Sequence, residues 1–177
     1  MQGRKTYTRP QAVVFADSYV SASGFYVPEG VEYDDFIILS DHNRKEIDVK
    51  VERIENRKRM VNGRMRSYHI ADKESYSIQW DMLPSRSYVE EPAFNSSGYT
   101  PIQDYVVDGG AGGTDLKAWY DSHGGDFYAL FAYDAVRYGE TTGYVKAKKV
   151  FIAGFSYTIV KRGQFDFWNV SIDLEEA

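Results

Sequence analysis

Between residues 75 and 80 the chain alternates strictly. Tyr76, Ile78 and Trp80 are apolar, and Ser75, Ser77 and Gln79 are polar. A period of two gives a strand with one apolar and one polar face. The same alternation runs through 46–54, where Ile47, Val49 and Val51 face one way and Asp48, Lys50 and Glu52 the other. That pattern predicts a strand with one buried face and one wet face. Between the two lies Asn62-Gly63, whose residues both accept the positive φ of a type I′ turn. Residues 46–81 therefore predict a three-stranded antiparallel meander, with the hairpin at 53–68 projecting as a charged arm.

Elsewhere, short apolar runs at 12–15, 36–39 and 127–133 predict strands, with a further short strand at 102–107. Gly24, Pro28 and Gly30 mark 21–33 as loop. Residues 86–100 and 135–142 also read as loop. The clearest hairpin closes the chain. Phe151, Ala153, Phe155, Tyr157 and Ile159 form one face of a long strand, 161–164 turns, and Trp168, Val170, Ile172 and Leu174 form the core face of the return strand. One helix is predicted, over 114–122. Thr114 can cap it, Asp115 suits the positive end of its dipole, and Leu116, Trp119 and Tyr120 share a face. Gly124-Gly125 ends it. The glycine-rich run 108–113 before it reads as a flexible turn. Residues 1–10 read as an extended arm. The fold class is mainly β: a single domain over 1–177, an antiparallel β-sandwich or barrel with one short packed helix and a long projecting hairpin.

Composition sharpens this picture. The 177 residues include 15 Tyr, 10 Phe and 3 Trp. Aromatics favour pleated, half-buried surfaces and also interfaces, where a rigid ring loses little entropy. The chain has no cysteine, which excludes disulfides, thiolate metal sites and a Cys nucleophile. No run approaches the roughly 18 apolar residues of a membrane span, and the first residues lack the apolar core of a signal peptide. The expectation is therefore no membrane insertion and no secretion signal. The net charge of −5 argues against a general nucleic-acid binder. The charge is uneven, with 44–66 basic and 173–177 acidic, an asymmetry that suits head-to-tail self-association.

No catalytic set emerges. The glycines at 109–113 are followed by no Lys-Ser or Lys-Thr, so the phosphate-cradling pattern is incomplete. His42, His69 and His123 are too scattered for a metal site, although His69 and Asp72 can share a face or turn. Adjacent carboxylates (Asp34-Asp35, Glu90-Glu91, Glu175-Glu176) point to opposite faces of a strand and make no acid–base couple. There is no nucleophile elbow. The arginine cluster has only Tyr68 for base stacking, which favours protein over nucleic acid as its contact. The expectation is a non-enzymatic protein with no cofactor and no metal. Exposed Tyr88, Tyr99, Tyr105, Tyr138 and Tyr144 would alternatively suit a carbohydrate- or receptor-binding module.

The run 57–85, RKRMVNGRMRSYHIADKESYSIQWDMLPS, resembles small tail proteins of tailed bacteriophages, of the tail-tube, distal and minor tail kinds. The likeness lies in an arginine-rich hairpin with an Asn-Gly turn, a short Asp-Lys step and a strand ending in W-x-x-L-P. Residues 107–121, VDGGAGGTDLKAWYD, and the closing strand pair are similar to that group too. The resemblance implies a virion tail protein, made in the host bacterial cytoplasm, that forms rings or a stacked tube through which genomic DNA passes as a non-specific passenger. Its implied partners are copies of itself and neighbouring tail proteins. The implied contacts are Arg57, Lys58, Arg59, Asn62, Gly63, Arg64 and Arg66 on the hairpin, and Arg4 and Lys5 on the N-terminal arm. The helix would pack outside the sandwich. The chain has no room for the extra domains that tube proteins can carry, so tube and single distal or adaptor ring both stay open.

Overall fold

The strand-forming pattern is realised in a computed structural model that describes residues 13–22, 25–30, 35–87, 105–106, 110–132, 145–162 and 165–177. Its strands are β1 (Val13–Ala16), β2 (Tyr19–Ala22), β3 (Phe25–Pro28), β4 (Phe36–Ile38), β5 (Asp48–Arg59), β6 (Met65–Pro84), β7 (Arg86–Ser87), β8 (Tyr105–Val106), β9 (Phe127–Phe131), β10 (Lys146–Arg162) and β11 (Phe165–Glu176). The helix α1 spans Gly113–Ser122. Seven strands form one antiparallel sheet in the order β4-β1-β9-β10-β11-β6-β5. Two small two-stranded sheets, antiparallel β2-β3 and parallel β7-β8, complete the described strands.

The large sheet is rolled. β9 and β6 are separated by two strands, which would hold them about 14 Å apart in a flat sheet. Yet Tyr76 of β6 stacks on Phe131 of β9 with ring centroids 4.7 Å apart. The connection between β4 and β5 is also tied to β6: Trp80 Nε1 donates to the Ser40 carbonyl at 2.9 Å, and the Lys45 amide donates to the Gln79 carbonyl at 2.8 Å. The concave side encloses the main core of Phe15, Ile37, Tyr76, Ile78, Trp80, Phe127, Phe131, Val170, Ile172 and Leu174, with Leu116 and Trp119 of α1 closing it. The mainly-β antiparallel class with one packed helix and a long hairpin is therefore present, in barrel-like form.

The same principles explain where details differ from expectation. Residues 21–33 contain a hairpin rather than loop alone. Tyr19 and Tyr26 pack edge-on at 5.1 Å, and Tyr19 packs on Tyr128 of β9 at 4.8 Å, so they cover a second cluster built on Val14, Ile38 and Leu130. This aromatic packing outweighs the local turn signals. The predicted meander is one hairpin, because the alternating 75–80 segment continues the return arm as a 20-residue β6. In β10 a bulge between Ile152 and Gly154 shifts the register. Phe155, Tyr157 and Ile159 lie opposite Ile172, Val170 and Trp168. Phe151 turns to the other face, where it is 38% exposed.

Residues 110–113 are not a flexible turn. A Cβ on Gly110 would lie 2.5 Å from the Ser40 Cα, and one on Gly113 2.7 Å from the Trp168 ring. These glycines serve close approach rather than freedom. The helix cap also shifts by two residues. Gly112 is the N-cap, and its amide donates to the Asp115 carboxylate at 2.7 Å. Thr114 instead binds the Ser85 carbonyl through both its amide and its hydroxyl. His123, not a glycine, takes the C-cap, donating its amide to the Trp119 carbonyl.

Candidate assembly surface

β6 pairs with β11 only as far as Ser75↔Glu175, whereas the β5–β6 ladder continues to Arg59↔Met65. Beyond Ser75 the two strands make ladder bonds only with each other, although the Glu74 amide still donates to Glu176 Oε2 at 3.0 Å and Lys73 Nζ to the Ala177 carbonyl. They form a ribbon of about ten residues per arm that extends roughly 30 Å. A two-stranded ribbon is marginal in water by itself. This one is held by side chains on one face. Arg53 Nε donates to Asp72 Oδ1 at 3.0 Å, His69 Nε2 lies 3.0 Å from the same oxygen, and Arg57 and Ser67 both donate to Glu55. The hydrogen bond from Arg53 holds the Asp72 carboxyl below the ordinary range, and the one from Ser67 does so for Glu55.

The tip departs from the expected type I′ geometry. Met60 N donates to Arg64 O at 2.8 Å and Gly63 N to Met60 O at 2.9 Å, leaving a three-residue connection. Only Gly63 is left-handed, at φ 78°. A three-residue hairpin loop needs one positive φ, at its last position, where a two-residue I′ turn needs two. Asn62 therefore serves through its side chain, accepting from the Arg64 amide at 3.1 Å.

All the hairpin residues singled out from sequence (Arg57, Lys58, Arg59, Asn62, Gly63, Arg64 and Arg66) come together on this arm, and all are exposed. Arg57 is ion-paired with Glu55. Lys58 and Arg66 lie directly opposite one another in the ladder. Like charges in that position are destabilising, by about 0.2–1 kcal/mol. Arg4 and Lys5 lie outside the described residues, as do Tyr88, Tyr99, Tyr138 and Tyr144; Tyr105 is described only in its backbone.

Sequence reasoning missed the arm's apolar character. Val51 is 58% exposed, Ile70 67% and Tyr68 56%, with Ile54, Met60, Val61 and Met65 also exposed. The alternation of Val49 and Val51 was legible, but it pointed to a buried face. That face is uncovered among the described residues, at the point where β6 loses its pairing with β11.

At the arm's root a charged cluster seals the core. Glu74 accepts from Lys146 and from the Tyr76 hydroxyl, with Lys148 3.4 Å away, and Lys148 also pairs with Glu176 at 2.9 Å. Burial pushes the Glu74 pKa up. The hydrogen bonds from Lys146 and Tyr76 and the two lysine charges outweigh that and hold it at about 2. The acidic C-terminus is thus partly neutralised within the chain. Among the described residues no group of three or more metal-ligating side chains converges, and no helix is long and apolar enough to cross a membrane. His123 bonds Asp17 through Nε2 at 2.9 Å and stacks on Trp119.

No protein-family model matches the chain, and no curated protein matches it. Among solved structures it is similar to one described as "Tail of empty GTA particle computed with helical refinement, C6 symmetry", at 8% identity, covering 94% of this chain and 90% of that one, with a TM-score of 0.41. At that score and identity the likeness carries no weight for function.

Proposed function

We propose that this chain is a non-catalytic structural protein of a phage-like tail, which associates with copies of itself through the projecting arm into rings or a stacked tube. The observation that carries this reading is the arm itself. A ribbon of roughly 30 Å that exposes Val51, Tyr68 and Ile70 and sets Lys58 against Arg66 gains nothing for the isolated chain. Burial against a second surface removes the apolar area from water and supplies counter-charges. The sequence resemblance at 57–85 supplies the class of assembly. On this reading the partners are other copies and neighbouring tail proteins, and DNA is a passenger.

The test replaces 56–68 by an Asn-Gly turn. The rolled core contains none of those residues, so the shortened chain should keep its native circular dichroism and tryptophan fluorescence while losing association in sedimentation velocity. Association at the strength of the intact chain would overturn the role of the arm.

A further inference from the structure

The arm is basic, so its own kind repels it. Six of the chain's 21 Lys and Arg lie in 53–68 against one of its 26 Asp and Glu, giving the arm +5 and leaving −10 on the remainder of the −5 chain. Two arms side by side would juxtapose Lys58, Arg59, Arg64 and Arg66, none of which has an ion-pair partner among the described residues. The body of another copy is the complementary surface.

One face of that body has the right shape. On the side of the sheet away from the core, the cross-strand register lines up Asp48, Ser77, Asp173 and Gly154 in one row, and Lys50, Ser75, Glu175 and Phe151 in the next. The short side chains of Ser75 and Ser77, with Gly154, leave a shallow cavity of about 430 Å³. Asp48, Asp173 and Glu175 are exposed around it and have no ion-pair partner among the described residues; Lys50 is the one cation on the lining, which leaves it net acidic. Phe151, turned outward by the bulge and 38% exposed, adds an apolar contact beside them. The cavity lies at the root of the arm, and the arm continues away from it along β5 and β6 through a bulge at Ile54/Glu55, so the basic tip, about ten residues further on, lies roughly 30 Å from its own cavity.

Resting on the reading of the arm as an assembly element, we infer that this cavity is its acceptor. The basic tip of one copy docks on the Asp48–Asp173–Glu175 face of the next. Arm and acceptor are different surfaces, so the contact is head-to-tail and repeats around a ring or along a filament. Arg59, Arg64 and Arg66 meet the carboxylates, Val61 and Met65 meet Phe151, and the opposition of Lys58 to Arg66 is relieved by the partner's charge.

A charge exchange tests this. One chain carries Arg59→Glu, Arg64→Glu and Arg66→Glu; the other carries Asp48→Lys, Asp173→Lys and Glu175→Lys. All six positions are exposed, and retention of fold is checked by circular dichroism. The natural chain is expected to associate, more weakly as salt rises. Each variant alone should associate more than tenfold more weakly. Their mixture should recover association, because acidic arms then meet basic faces and basic arms meet acidic ones. Weak arm variants beside fully associating face variants would overturn this acceptor and leave the arm's role standing. Weak variants whose mixture does not recover would overturn the direct pairing. A natural chain that stays monomeric, or arm variants that associate normally, would overturn both readings.

Discussion

Replacing Glu74 by Gln removes the one carboxylate among the described residues that pairs with both Lys146 and Lys148. Its pKa of about 2 lies about 2.5 units below the ordinary value, equivalent to roughly 3 kcal/mol at 1.36 kcal/mol per unit. The side chain is 20% exposed, and solvent screening reduces the expected loss to about 1–2 kcal/mol. The sign follows from the direction of the shift. A carboxyl depressed in the folded state stabilises fully above its unfolded pKa, and the contribution fades as pH falls through the folded one. In urea unfolding, Glu74→Gln should therefore be about 1–2 kcal/mol less stable than the natural chain at pH 7. The gap should narrow below about pH 4.5 and close near pH 2. Glu176, also held low by Lys148, adds to the acid sensitivity of both proteins; because it shares Lys148 with Glu74, its contribution differs between the two. Equal stabilities at pH 7 would refute the charge account. A gap that persists undiminished at pH 2–3 would assign the effect to packing instead.

Two backbone predictions separate packing from conformation. Gly110→Ala drives a methyl against the Ser40 backbone, 2.5 Å away, and should cost about 2–3 kcal/mol in urea, while Gly124→Ala, with open space around it, should not lose that much; equal effects would restore the flexible-turn reading of 110–113. Gly63→Ala meets no neighbour within 4 Å but must hold φ 78°, at about 1 kcal/mol. Amide exchange at Met60, whose N–H closes the tip, should quicken about fivefold with the global urea midpoint unmoved. A shifted midpoint, or unchanged exchange, would contradict the independence of the arm.

Much of the fold was legible because it is written in nearest-neighbour periodicity. Tyr76, Ile78 and Trp80 are each no more than 2% exposed, and Trp168 through Leu174 line the core as their alternation predicts. What failed depends on distant chain. Val49 and Val51 carry a core-type alternation, but whether a strand face is covered depends on how far its neighbours extend, and β11 has no pair for β6 beyond Ser75. The bulge at Ala153 reverses the facing of Phe151; its one local signal is Gly154 within the strand pattern, which does not fix which residue is displaced. Gly110 and Gly113 look like turn residues until Ser40 and Trp168 are placed against them. The positions of the arm residues were legible from the Asn-Gly signal and the arginine cluster. Their basic chemistry was only half the surface, because the exposed apolar residues of the arm read locally as core, and the carboxylates at its root come from two strands far apart in sequence, Asp48 from β5 and Asp173 and Glu175 from β11.

The central claim, that the arm joins copies of this chain into a closed or stacked assembly, is tested most directly by negative-stain electron microscopy of the purified chain at high concentration across a range of salt. The account predicts uniform rings or tubes with a central hole, absent from the chain with 56–68 replaced. Dispersed single particles in every condition, or the same rings and tubes without the arm, would contradict it.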